Sequence, residues 1–121
     1  MGIDMFDCVA PTRLARNGAL YVSPQAGGKQ KNKYRVNINN AEFTEDLKPI
    51  DQWCTCRVCR GFDGKNFFTR SYLHHLFKTD EMEGLRLGSI HNVHFMLQVM
   101  AEIRSAIAKD SFEKLKKEWV K

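Results

Sequence analysis

The chain has 121 residues, 43% of them hydrophobic, enough for one domain with a modest core. Lys plus Arg number 19 against 14 for Asp plus Glu, a net charge of +5, which admits a nucleic-acid partner without requiring one. No apolar run reaches the ~20 residues of a membrane helix and the N-terminus lacks the basic-then-apolar pattern of a secretory signal, so no membrane partner is expected and the cytoplasm, where thiols stay reduced, is the expected compartment.

In chain order, "GIDMFDCV" reads as a short, largely apolar strand carrying Asp4 and Asp7. Strand alternation places Asp4 and Asp7 on opposite faces, so Asp4 is read as structural and Cys8 as a packing residue. On residue type alone, Asp7 is a structural acid at a strand end. Pro11 and Gly18 predict a loop, which Arg13 and Arg16 flank, and for these two arginines phosphate contact rivals solvation. "ALYV" and "YRVNI" predict two strands joined by "SPQAGGKQKNK", where Lys29, Lys31, Lys33 and Arg35 crowd a glycine-containing stretch. "EDLKPIDQW" leads into a cysteine loop, and "GFDGKN" is a turn. From Thr69 onward the chain is expected to be mostly helical. "SYLHHLFK" is the first helix. A second runs from Asp80 to about Leu87 with Thr79 as N-cap, "SIHNVHFMLQVMAEIRSAIA" is the third, and "DSFEKLKKEWV" is the last. Asp110 and Glu113 form a variant capping box for that last helix. Its lysines, Lys114, Lys116, Lys117 and Lys121, read as a solvated face.

"CTCRVC" holds three of the four cysteines. Reducing conditions disfavour disulfides, and Cys54 and Cys56 are too close for an easy bridge. A redox pair of Cys56 and Cys59 would leave a third thiol beside it and lacks a thioredoxin-like context. Reduced, partly buried thiols are the bland alternative, but clustered thiols without a ligand are reactive. One structural zinc is the better reading, because thiolates from one tight loop can occupy three corners of a tetrahedron. The fourth corner falls to Cys8, His74, His75, His91 or His94. In the third helix Val93, Met96, Leu97, Met100, Ile103 and Ile107 recur at spacings of three and four, a stripe expected to face the main core. His91 lies almost opposite that stripe and so points to solvent or to a second site such as a metal loop. His94, nearer the flank, reads as a packing or surface histidine. Periodicity favours His91 and leaves the other histidines open.

Taken together, "GIDMFDCV", "PTRLARNG", "CTCRVC", "SYLHHLFK" and "SIHNVHFMLQVMAEIR" resemble, in order and over nearly the whole chain, the C-terminal portion of the bacterial-type tRNA-guanine transglycosylases, the queuine tRNA-ribosyltransferases. The resemblance implies an α/β fold class: the last strand and helix of a TIM barrel with an inserted zinc-binding subdomain. It divides the chain into 1–18, last barrel strand and catalytic loop; 19–48, hairpin and loop; 49–95, zinc-binding subdomain; and 96–121, C-terminal helices. It assigns zinc to Cys54, Cys56, Cys59 and His91, and RNA contact to Arg13 and Arg16. The aspartate matched at the strand end, Asp7, becomes the nucleophile, where barrel enzymes place catalytic groups.

The implied reaction exchanges the wobble guanine of a tRNA for queuine or its 7-deazaguanine precursor in queuosine biosynthesis, through a covalent aspartyl-ribosyl intermediate. Two displacements at one sugar carbon retain configuration, as in retaining glycosidases. "SPQAGGKQKNKYR" is longer than the turn usual in that family, and "GFDGKNFF" reads as an insertion. The earlier strands, the base pocket and the family's second, acid–base aspartate are not in this sequence, and one strand cannot close a barrel. Activity is therefore expected to need the remainder of the barrel or a homo-oligomer partner. The rivals are a stand-alone zinc module that binds RNA and a non-catalytic partner subunit; retention of Asp7 favours catalytic descent.

Overall fold

Pro11 begins a helix rather than a loop. In the computed structural model, which describes residues 2–120, helix α1 spans Ala10–Arg16 with Pro11 in its first turn. There the missing N–H costs nothing and the fixed φ suits a helix. The expected strand before it is not formed. Residues 2–9 carry no regular structure and are exposed, Asp4, Asp7 and Cys8 included. A strand is stable only where neighbours satisfy its backbone groups, and among the described residues no strand pairs with this segment. Cys8 therefore does not pack as expected.

The predicted hairpin is present. β1 (Ala19–Tyr21) pairs antiparallel with β2 (Arg35–Asn37), with Leu20 opposite Val36 and Tyr21 opposite Arg35. Three short 3-10 turns, two between the strands and one after β2, fill the irregular stretches. The chain then reaches the cysteine loop and the one-turn helix α2 (Arg57–Arg60). Gly61 closes that turn at φ 87°, where a Cβ would stand 2.6 Å from the backbone of Asn66. Helix α3 (Arg70–Lys78) follows, capped by the Thr69 hydroxyl, which accepts from the Tyr72 N–H.

Two expected helices are one. α4 runs unbroken from Met82 to Ala108, and Thr79 ends α3 instead of opening the next helix. Gly84 and Gly88, which weaken helix propensity, are retained inside α4 because neighbours press on that face. A Cβ at Gly88 would meet Leu20 at 3.2 Å, and one at Gly84 would meet Leu76 at 3.1 Å. α5 (Phe112–Trp119) is preceded by Ser111 and has no side-chain cap hydrogen bond, so the Asp110–Glu113 capping box is not formed. Asp110 sits instead in a left-handed turn (φ 51°) between α4 and α5. Among the described residues no helix is long and apolar enough to cross a membrane.

The centre of the apolar stripe on α4 does not face the core, although Met96 at its edge packs there. Val93, Leu97 and Ile107 are exposed, whereas Leu87, His91, Asn92 and Phe95 are buried. Phe95 anchors an aromatic cluster, stacked on Tyr21 at 5.6 Å between centroids and edge-on to Trp53 at 5.3 Å, with Trp119 of α5 closing over it. Leu20, Val22, Ile38, Ile50, Val58, Leu73 and Leu87 join Phe95 and the three loop cysteines in one core. The architecture is thus a helical layer centred on α4, with a small hairpin and a cysteine knuckle packed on its inner face.

Candidate metal centre

Cys54, Cys56, Cys59 and His91 are all buried, and their ligand atoms lie within 4.8 Å of one another. The first three come from the turn into α2. Cys56 is its N-cap, its sulfur accepting from the Cys59 N–H at 3.4 Å, so the backbone that starts the helix also turns the sulfurs inward. The fourth comes from the middle of α4. His91 Nδ1 is 3.5 Å from Cys56 Sγ and 3.4 Å from Cys59 Sγ.

These residues fit a metal ion. In a tetrahedral site with metal–sulfur bonds of ~2.3 Å and metal–nitrogen bonds of ~2.0 Å, sulfur and nitrogen stand about 3.5 Å apart, close to both observed separations. His91 Nε2 donates to the Tyr21 carbonyl at 2.8 Å. That leaves the lone pair on Nδ1, aimed at the sulfurs, and fixes the ring as a ligand's outer hydrogen bond does.

The electrostatics agree. The hydrogen bond with Cys54 is the largest influence on both neighbouring thiols, holding Cys56 well below the usual thiol range and pushing Cys59 well above it. Three thiols this close cannot all ionise unaided; a bound cation lets them. Burial opposes charge on His91, but its hydrogen bonds with Cys54 and Cys56 and their negative charge push it up to about 10, so that without a metal Nδ1 carries a proton, which a bound cation would displace to use the lone pair.

A polar row on α4 grips the knuckle. Gln98 donates to the Trp53 carbonyl at 2.9 Å and accepts from the Thr55 N–H at 2.9 Å. His94 Nε2 meets the Thr55 hydroxyl at 3.0 Å, and Glu102 accepts from the Trp53 indole at 3.1 Å. Asp51, buried ahead of the loop, accepts from the Ser23 hydroxyl at 3.0 Å and the Trp53 N–H at 2.8 Å, and also from the Ser23 N–H. Arg70 reaches back from α3 to the carbonyls of Pro49 and Ile50, at 3.1 and 2.7 Å.

The other sequence candidates lie elsewhere. His74 is buried, its Nδ1 2.7 Å from the Ile38 carbonyl. His75 is exposed on α3, and Cys8 is exposed before α1. Arg13 and Arg16 are exposed on helix α1 rather than in a loop. Asp7 is exposed and apart from the cysteine cluster.

Sequence reasoning passed over Asn92. Fully buried, it accepts from the Tyr21 N–H at 3.0 Å and donates to the carbonyls of Pro11 and Ala19, both at 2.9 Å. His91 and Asn92 thereby hold Tyr21 by its C=O and its N–H, and Asn92 ties α1 and β1 to α4. The legible signal was a polar pair opposite an apolar stripe. Asn92→Ala will strand one buried N–H and two carbonyls and lower stability by about 3 kcal/mol, measured by urea unfolding with Trp53 and Trp119 fluorescence. Asn92→Asp will cost at least as much, since its carboxylate faces two carbonyl oxygens. A loss below ~1 kcal/mol in both variants would remove this bridging role.

A family model described as Queuine tRNA-ribosyltransferase matches residues 1–121. Similar curated proteins include queuine tRNA-ribosyltransferases of Roseiflexus sp. strain RS-1, 42% identical over 98% of this chain and 27% of its own length, and of Symbiobacterium thermophilum, 46% identical over 96% and 25%. A third, from Herpetosiphon aurantiacus, is 42% identical over 98% of this chain and 26% of its own. The chain spans about a quarter of the length of these relatives.

Proposed function

The chain belongs to the queuine tRNA-ribosyltransferase family, and from that premise we propose that it is the zinc-bearing C-terminal portion of a tRNA-guanine transglycosylase. The whole-chain family match carries this reading. In it, Cys54, Cys56, Cys59 and His91 hold one zinc, whose contribution is structural: it ties the knuckle to α4. Residues 1–18 supply the last barrel strand and the loop beyond it, 19–48 the hairpin, 49–95 the zinc subdomain and 96–121 the terminal helices.

The exposure of apolar side chains supports a barrel partner. Ile3, Met5, Phe6 and Val9 are open to solvent, Met5 at 87%, and so are Val93 and Leu97 on the outer face of α4. Exposed apolar side chains on a segment without regular structure suit a strand awaiting its sheet, and the neighbouring strands of a barrel would supply the missing partners.

Asp7 is the proposed nucleophile. Its carboxylate attacks the ribose C1′ of the wobble nucleotide, the C1′–N9 bond breaks, and guanine leaves with that electron pair, protonated by an acid from the rest of the barrel. The incoming base, having lost its proton, attacks the same carbon. The ester C–O bond then breaks and frees the carboxylate.

Arg13 and Arg16, one turn apart on α1 and exposed, are the proposed contacts to tRNA phosphates. The test is exchange of labelled guanine into a tRNA with a wobble guanosine, by an enzyme containing this chain and its barrel. Incorporation is expected; its absence overturns the reading. Arg13→Ala with Arg16→Ala will weaken tRNA binding and flatten its salt dependence by about 1 to 2 in log–log slope. An unchanged slope would make both arginines solvated bystanders.

A further inference from the structure

Between Cys8 and Ala41 the chain has no acidic residue, while Arg13, Arg16, Lys29, Lys31, Lys33 and Arg35 fall inside that stretch. None of these six cations is in an ion pair among the described residues, where the paired ones are Lys48, Arg70 and Arg86. Lys29, Lys31 and Lys33 are exposed at the end of the β1–β2 hairpin.

A surface run of lysines is ordinarily a solvated face. This one is built differently. Asn32 stitches the turn from within: its Oδ1 accepts from the N–H groups of Lys29 and Tyr34, at 2.8 and 3.0 Å, and its Nδ2 donates to the Gly27 carbonyl at 2.8 Å. Lys33 and Tyr34 both sit in the left-handed region, at φ 53° and 54°, a conformation costly for residues with side chains. Tyr34 then pins the turn to α5 by donating its hydroxyl to the Trp119 carbonyl, with its ring 5.7 Å from the indole. Gly28 lies so close to β1 that a Cβ would stand 2.2 Å from the Val22 carbonyl. The acid that α5 brings to this side, Glu118, lines a neighbouring cleft with Gln25 and pairs with none of the lysines.

A strained, fixed turn holding three unneutralised cations at alternate positions is preorganised for a polyanion in its backbone, so that only the lysine side chains remain to be ordered on binding. We propose that this hairpin turn, through Lys29, Lys31 and Lys33, is a second RNA-backbone contact besides Arg13 and Arg16. Lysine suits the task as a point charge for phosphate, setting affinity and orientation without reading bases. The inference rests on the tRNA reading above and extends it to a surface separate from α1.

Its test is fluorescence anisotropy of a labelled tRNA transcript with the full 121-residue chain, titrated over a salt series. Changing Lys29, Lys31 and Lys33 together to Gln will reduce the log–log salt slope by about 2, at ~0.7 per contact, and weaken low-salt binding at least about tenfold. Changing Lys114, Lys116 and Lys117 to Gln will leave the slope unchanged. The inference is overturned if the wild-type chain does not bind, if the hairpin variant keeps its slope, or if both triple variants lose the same amount. It is also overturned if phosphatidylserine vesicles, and not tRNA, are what the hairpin variant ceases to bind. Loss in the hairpin variant alone, with Arg13→Ala and Arg16→Ala silent, upholds the turn and removes the α1 contact. The reverse pattern removes the turn and leaves the α1 contact standing.

Discussion

Replacing His91 with Ala will strip the metal from the protein and unfold the knuckle around Cys54–Cys59. In the proposed site the ring is the fourth ligand, and it also makes the hydrogen bond to the Tyr21 carbonyl, so one substitution would sever the knuckle from α4 and loosen β1. Structural zinc sites in small domains contribute on the order of 10 kcal/mol of apparent binding free energy at neutral pH, which exceeds the whole stability of many domains. Metal analysis of the wild type should give about one zinc per chain, and His91→Ala well below that. Hydrogen exchange should show lost protection across residues 54–60 and the inner face of α4. Cobalt substitution offers a second readout, because a tetrahedral thiolate site has intense visible bands that the variant will lack. His74→Ala and His94→Ala should keep the metal, since His74 is committed to Ile38 and His94 to Thr55. Full metal retention in His91→Ala, with loss in either of those, would put the fourth corner elsewhere.

The second large effect concerns the proposed nucleophile. In an enzyme with a complete barrel, denaturing gels should show a shifted band in which the protein is joined to tRNA after guanine leaves, and the band should vanish when a competent base is added. Asp7→Asn keeps the side-chain shape but removes the anionic oxygen, so it should bind tRNA and form no adduct. The 121-residue chain alone should also form none, because Asp7 is exposed on a segment without regular structure and the rest of the barrel is needed to bring a sugar carbon within ~3 to 3.5 Å of its oxygen. An adduct persisting in Asp7→Asn would assign the chemistry to another residue. Base exchange by the chain alone would overturn the need for the barrel.

The hairpin between Ala19 and Asn37, the turn at Gly61–Asn66 and helix α3 were legible before any coordinates. Each rests on neighbours a few residues apart: glycine and proline punctuation and a short apolar period. The gathering of three thiols at the start of α2 was legible for the same reason. Residues 2–9 show the limit of such reading. Their pattern suits a strand, yet a strand is a property of the sheet that receives it, and among the described residues no strand receives this one.

The long helix divides the local from the tertiary most clearly. Sequence by itself determined that His91 and the Val93–Leu97–Ile107 row occupy opposite sides of a helix, because a 3.6-residue period decides which positions share a face. It did not determine which side is inside. Both sides carry large apolar groups, Leu87 and Phe95 on one and Val93, Leu97 and Ile107 on the other. The choice fell to shape: Gly84 and Gly88 open the Phe95 side to β1 and α3. On that same side His91, Asn92, Gln98 and Glu102 find partners on β1 and the cysteine loop. Only tertiary structure decided this, because burying those polar groups is favourable only where the opposing backbone satisfies each of them, and the opposing segments are distant in sequence.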